Sequence, residues 1–353
     1  KTKVVVIRGP GSKDNSRVVR EWHLGATSIT PSDSCTHLGI DRYSNCITSD
    51  TFIQDRVQLG RRTAYQMMSI GFHGVNGLTP VMCRRIYLTY VIPRLAHGLE
   101  SMILKKKHYE AIELYHRGII RRILSLPDRT ASEAIYLTAG IPPVEAILDM
   151  RMLCFFGTIC RHEDSILHQI ALRQLALKSL SSNSWFVNIA RLCLKYELTP
   201  PQLLLVNPPS KRRWKHIVKC TVLDFWTQKL RSSAKTKSTL CYINLEDLQL
   251  DRPSRVISTI KPDARDLQRY CTKVRLVTST YLLQSNQARF NATVSPDPTC
   301  LLCGLEPEDR CHFLQRCPTL EVKRSKVLYP IIRAVGGLLG QYTSSCLCAL
   351  RIT

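Results

Sequence analysis

The sequence predicts a mainly α fold in which short N-terminal β strands lead into a helical bundle and a small C-terminal helical module carries a Cys/His cluster. Three observations carry this expectation. The apolar period changes from two to about 3.6 at Asp50. Apolar stripes at helical spacing then recur through the middle of the chain. Towards the other end, Cys300, Cys303, His312 and Cys317 stand at C-x2-C-x8-H-x4-C spacing. With 353 residues, 44% of them hydrophobic, the chain is long enough for roughly two domains and a sizeable core.

Residues 1–48 read as short strands and turns. Val4 to Ile7 is a β-branched run ended by Gly9-Pro10-Gly11; Arg17 to Leu24 and Thr36 to Tyr43 are further strand candidates, separated by Gly25 and Pro31. Residues 49–165 are expected to form the bundle. In its first helix Ile53, Val57, Gly60, Ala64 and Met67 share one face, with Arg56, Arg61 and Arg62 elsewhere. After a break over Gly71 to Gly77, Thr79-Pro80 supplies an N-cap and an N1 proline for a second helix. This runs through Arg84, Arg85, Tyr87 and Val91, with a kink expected at Pro93.

A third helix is expected from His108 to Leu126. Its apolar stripe is Ile112, Tyr115, Ile119, Ile123 and Leu126, with Arg117, Arg121 and Arg122 facing solvent, and Pro127 stops it. Thr130 and Glu133 have capping-box spacing for a short fourth helix ended by Gly140, and Pro142-Pro143 opens a fifth to about Arg161. Residues 166–262 read as a helical connector: helix pairs to about residue 205, jointed at Ser181 to Ser184, then a flexible basic linker. That linker holds Lys211-Arg212-Arg213, one helix around Trp214 to Leu230 and a polar stretch from Arg231 to Thr239. Residues 263–330 are expected to hold a helix from Asp263 to Gln284 and the Cys/His cluster, and 331–353 a tail.

Fifty Lys and Arg against twenty-seven Asp and Glu give a net charge of +23, spread from end to end, which points to a polyanionic partner such as nucleic acid. No run of about 18 apolar residues exists, so no membrane-spanning helix is expected. The chain starts at Lys1, inside what reads as a strand, with no initiator Met or signal segment, so a fragment is expected. Most of the fifteen cysteines, Cys83, Cys154, Cys160 and Cys193 among them, sit singly on apolar stretches and read as buried free thiols of an intracellular protein.

The exception is the cluster. Two thiolates at C-x2-C spacing reach one ion from a tight turn, Gly304 lets the backbone fold close, and His312 and Cys317 return the third and fourth ligands. The expectation is a closed, structural zinc site with no position for an activated water. Cys311 is an alternative to His312 as ligand, and Cys346 and Cys348 read as bystanders. No catalytic motif is found: Gly9 to Lys13 is too short for a phosphate loop, and H-E-x-x-H and G-x-S-x-G are absent. Lys261-Pro262-Asp263 lacks the second acid of a nuclease motif, since Leu276, Val277 and Thr278 occupy its place.

Several segments together resemble the C-terminal part of LINE-type (non-LTR) retrotransposon reverse transcriptases. Lys1-Thr2-Lys3-Val4-Val5-Val6 is similar to the strand ending the palm, and Thr36-His37-Leu38-Gly39-Ile40 to the primer-grip hairpin. Arg121 to Pro127, Glu133-Ala134, Ala139 to Glu145 and Arg151 resemble the thumb and the region after it. Thr280 to Asn291, Cys300-Leu301-Leu302-Cys303-Gly304, Glu308-Asp309 and His312-Phe313-Leu314 with Cys317-Pro318 resemble the family's C-terminal zinc knuckle. Residues 200–260 resemble nothing in it.

The resemblance implies an RNA-directed DNA polymerase fragment that binds element RNA, target DNA and template-primer, in nucleus and cytoplasm as a ribonucleoprotein. The magnesium-binding Y-x-D-D aspartates are absent from the 353 residues and would belong to palm and fingers upstream, so no catalytic residue is expected here. The nucleic-acid-binding candidates are Lys1, Lys3, Leu38 and Gly39; Arg61, Arg62, Arg84, Arg85, Arg117, Arg121 and Arg122; and Lys211, Arg212 and Arg213. A stand-alone zinc-containing nucleic-acid-binding protein, a remnant of a decayed element, and a zinc-stabilised scaffold that binds protein are the competing expectations. At 7% aromatic residues, no base-stacking platform is expected.

Overall fold

The computed structural model describes residues 3–6, 22–37, 39–43, 49–73, 77–241, 243–290 and 297–339. Lys1, Leu38, the Gly9 to Gly11 break, Cys346 and Cys348 lie outside them. The described chain is mainly α, with a few short strands at its start.

β1 (Trp22–Leu24) and β2 (Thr27–Ile29) form one antiparallel hairpin; β3 (Ser34–His37) and β4 (Ile40–Tyr43) form another, with Ser34 opposite Tyr43 and His37 opposite Ile40. The stretch from Thr36 to Tyr43 is therefore not one strand but the end of β3, a turn and β4, and Gly39 takes the positive φ of 73° that this turn needs. Of the expected Val4 strand, the described part makes one isolated parallel bridge, to Pro31.

α1 (Ser49–Met68) buries Phe52, Ile53, Gly60 and Ala64, and also Arg56. α2 (Pro80–Ile86) starts as expected, with the Thr79 hydroxyl accepting the Met82 N–H at 3.3 Å and Pro80 in the first turn. The expected kink at Pro93 is met by a π turn over Tyr87–Val91 before α3 (Ile92–Ala96). Its wider ring loosens the turn that the proline would crowd. α4 (Lys106–Ile123) buries Ile112, Tyr115, Ile119 and Ile123 and stops short of Leu126, because Ser125 turns left-handed at φ 52°.

α5 (Ser132–Ala139) ends at Gly140, φ 64°, where a side chain would also strike the Arg252 carbonyl. The expected capping box at its start is absent. The Thr130 hydroxyl donates to the Pro127 carbonyl at 2.7 Å, and the buried Glu133 reaches across to Ser233 at 2.7 Å and Lys237 at 2.9 Å. α6 (Val144–Cys160), α7 (Ile166–Leu177), α8 (Trp185–Lys195) and α9 (Pro201–Val206) follow, with residues 178–184 joining α7 to α8.

The helix expected around Trp214 to Leu230 is α10 (Lys211–Lys235), 25 residues long and packed on α6 and α5 instead of lying in a flexible linker. It buries Trp214, Val218, Val222, Leu223, Trp226, Leu230 and Ala234. Each such side chain contributes on the order of 1.5–3 kcal/mol, enough to outweigh the polar and proline-rich flanks. Trp214 donates its indole N–H to the Leu153 carbonyl at 2.8 Å and lies directly over Gly157, where any side chain would overlap the ring. A polar chain ties α8 between the two: the Trp226 indole donates to the Tyr196 hydroxyl at 2.9 Å, which donates to the buried Asp149 at 2.6 Å. Lys195 pairs with the same carboxylate at 2.9 Å and with Glu145 at 2.6 Å.

α11 (Arg255–Ser258) and α12 (Ala264–Val277) complete an apolar cluster that runs from Phe52 to Val277. α12 ends seven residues before the expected Gln284, at a left-handed Ser279, and α13 (Gln284–Phe290) starts separately. α14 (Glu321–Leu339) carries Pro330 inside it and continues where a tail was expected.

Candidate metal centre and basic surface

The thiol and imidazole atoms of Cys300, Cys303, His312 and Cys317 all lie within 4.8 Å of one another, a set that can hold a metal ion. Cys300 and Cys317 approach to 4.0 Å, and Cys303 Sγ lies 3.3 Å from His312 Nε2. Gly304 follows the first pair at φ 66° and donates to the Cys300 carbonyl at 2.8 Å. A side chain there would meet nothing within 4 Å, so the left-handed backbone, and not lack of room, is what calls for glycine. A π turn over His312–Arg316 then carries the chain from His312 to Cys317. Cys311, the alternative ligand, is outside the set.

Residues that spacing did not single out orient these ligands. Glu306 Oε2 lies 3.1 Å from His312 Nδ1, which aims Nε2 at the cysteines. Asp309 accepts the His312 N–H at 2.6 Å, and Arg316 bridges Glu306 and Asp309. Buried Arg324 donates to the Cys317 carbonyl and pairs with Glu321 at 2.9 Å. The backbone N–H of Leu305 pulls the Cys303 thiol down to about 7, whereas burial pushes Cys300 up.

The module has almost no apolar core of its own. Between residues 297 and 330 the buried hydrophobic residues are Cys300 and Cys317 alone, while Leu301, Leu305, Val322 and Val327 are exposed. A segment this small needs a staple, and the four ligand atoms are at its centre. It docks on the end of α12 through Arg310, which donates to the Leu276 carbonyl at 2.8 Å, and α12 is in turn tied to the bundle by Arg275, which donates to the Ser125 carbonyl at 2.9 Å.

The expected phosphate-binding residues separate into two groups. Arg61, Arg62, Arg85, Arg122, Lys211, Arg212, Arg213 and Lys3 are exposed. Burial raises the Tyr115 phenol, and Arg61 and Arg122 stand near enough to pull against it, so α1 and α4 bring these two cations to one place. Arg122 also lies over the Tyr65 ring, 5.7 Å from its centroid. Lys211, Arg212 and Arg213 occupy the first turn of α10 instead of a linker.

Three other arginines of the expected set, and Arg56 besides, are engaged within the protein. Arg84 donates to the carbonyls of Ala139, Gly140 and Asp251, each at 2.8 Å, tying α2 to the end of α5 and the loop after α10. Arg117 and Arg121, expected to face solvent, are half-buried against Ser132 and Thr130. Arg56 lies 4.8 Å over the Phe52 ring and donates to the Gly39 carbonyl, which fastens the β3–β4 turn to α1. Only the contact partner, seventeen residues away, reveals that role. Compared with family models, curated proteins and solved structures, the chain shows no match.

Proposed function

We propose that this chain is a nucleic-acid-binding part of a LINE-type retrotransposon reverse transcriptase, made of the thumb and the zinc knuckle, and that it acts with palm and fingers of the same polyprotein. The reading is carried by one observation: a closed Cys3His set in a chain of net charge +23. Three thiolates and one imidazole suit zinc, and four protein ligands leave no open position for catalysis. The ion is structural. Its absence would leave four converging ligands in a module without an apolar core. RNA or DNA backbone lies along the exposed arginines of α1 and α4, Arg61, Arg62 and Arg122, with Arg85 and the first turn of α10 as further contacts. Gly39, held by Arg56, presents the hairpin turn to the primer. Magnesium and nucleotidyl transfer belong to the aspartates of the upstream palm, since no Y-x-D-D occurs in the 353 residues.

The test uses the full chain. Bound zinc is measured at one per chain, and affinity for RNA and DNA is measured against salt. A log–log slope of roughly −0.7 to −0.9 per neutralised phosphate is expected. Charge reversal at Arg61, Arg62 and Arg122 weakens binding to all sequences alike. Cys303→Ser loses the metal and unfolds the module while the bundle keeps its helicity. Weak, salt-independent binding, or a Cys303→Ser protein with unchanged zinc and circular dichroism, refutes the reading.

A further inference from the structure

The loop between α10 and α11 meets the end of α5 and encloses, with Val277 of α12, a cavity of about 250 Å³. Its frame is fixed by hydrogen bonds. Arg231 of α10 donates to the carbonyls of Glu246 and Leu248 at 2.6 and 2.7 Å, Arg84 holds the Asp251 carbonyl, and the Ser254 N–H donates to the Thr138 carbonyl at 3.1 Å. Two features of the lining are unspent. Ser254 stands at the N-cap of α11, where a serine hydroxyl ordinarily accepts a backbone N–H, yet it makes no cap bond and is buried without a hydrogen-bond partner. Buried polar groups are otherwise almost always paired, so this one calls for a partner from outside the chain. Arg252 and Arg255 line the exposed side of the cavity, and neither guanidinium meets a carboxylate or a carbonyl among the described residues. The one acid on the described lining, Asp247, accepts the Asn244 amide at 2.9 Å instead of pairing with either arginine. Ile243, Leu248, Val256 and Val277 form the apolar part of the wall.

We propose that this cavity binds a small sugar phosphate, as a free nucleoside monophosphate or the phosphorylated end of a nucleic-acid strand presents it. Two guanidiniums without a carboxylate, and a hydroxyl without a partner, suit a phosphate: arginine donates charge-assisted, directional hydrogen bonds to its oxygens, and the serine adds one more donor. The Asp247 carboxylate is an acceptor for the hydroxyls of the sugar, and the aliphatic wall covers its apolar face. At about 250 Å³ the cavity falls below the roughly 300–1,000 Å³ of pockets for larger ligands, so it takes the phosphate and sugar of one nucleotide and excludes a duplex. None of the arginines of α1 and α4 lines it, so the inference stands apart from the proposed nucleic-acid binding along those helices.

Titration calorimetry on the nuclease-treated full chain tests it, with two pairs of probes that differ only in the phosphate. Adenosine monophosphate is compared with adenosine, and a short single strand carrying a terminal phosphate with the same strand lacking it. The phosphate is expected to strengthen binding in at least one pair, at one site per chain. A gain in the first pair alone assigns the site to free nucleotides, and a gain in the second to strand ends. Ser254→Ala, Arg252→Gln and Arg255→Gln each reduce that gain about tenfold, the loss of one hydrogen bond to a charged group, whereas charge reversal at Arg61 leaves it intact. Ser254→Ala also leaves the melting temperature of the unliganded protein unchanged, because the hydroxyl has no protein partner to lose. No phosphate-dependent gain in either pair overturns the inference. So does a gain that all three variants leave intact, or a Ser254→Ala protein that melts lower without ligand.

Discussion

Gly157→Ala separates a packed α10 from a loose connector, because the two arrangements predict opposite signs. Gly157 lies inside α6, where alanine favours the helix by about 1 kcal/mol. If residues 200–262 merely tethered two ends, that gain is all the substitution would do. Instead, the added carbon overlaps Cδ1 and Nε1 of Trp214, a fully buried side chain. Moving the indole or separating the helices costs about 1–3 kcal/mol in overpacking. The indole N–H then loses the Leu153 carbonyl, 2.8 Å away, and a buried donor without a partner costs about 1–3 kcal/mol more. Against the propensity gain, the net is a destabilisation of about 3 kcal/mol. Urea unfolding of the full chain reads it directly, and the melting temperature falls by roughly 4 °C. Trp214→Leu in the same chain removes the obstruction, so the double variant loses less than the single effects combined. An unchanged or raised melting temperature for Gly157→Ala would refute the α6–α10 packing.

Other expected outcomes follow from single contacts. Arg84→Ala leaves three carbonyls without their donor and destabilises the protein by about 2–4 kcal/mol in a thermal melt, whereas the exposed Arg85→Ala is near neutral; equal effects would show that Arg84 is not a structural tie. Glu306→Gln weakens the hold on His312 and lowers zinc affinity about 10–100-fold in chelator competition, and unchanged affinity counts against the carboxylate–histidine contact. Burial pushes the Glu113 carboxyl up from 4.5 to about 7, so its neutral form contributes stability that is complete below pH 4.5 and is lost as pH rises through 7. Stability curves of wild type and Glu113→Gln should therefore differ by about 3 kcal/mol less favourably for the wild type at the upper end of that window; parallel curves would exclude it. Burial lowers His116 to about 4, so its contribution is present above pH 6.5 and lost as pH falls towards 4, and its ring resonances should stay neutral until then.

Local spacing determined much of this protein. The helices on either side of Pro80, Gly140 and Pro143 are legible because caps, prolines and apolar stripes act within one or two turns. The Cys/His cluster is legible for the same reason, since a set of side chains able to hold a metal ion follows a short-range spacing. Tertiary structure alone decided which polar side chains stay free. Arg84 and Arg122 look alike in sequence, yet one faces three carbonyls and the other faces water. Glu133 has the spacing of a cap and spends its carboxylate on α10 instead. The helix of α10 is legible around Trp214 to Leu230, but the prolines before it and the charges along it suggest a flexible linker, because the surfaces it packs on, α5 and α6, lie far along the chain. Partners brought together only by folding leave no periodic trace, and those partners decide whether a charge is a tie within the protein or a contact offered to something outside it.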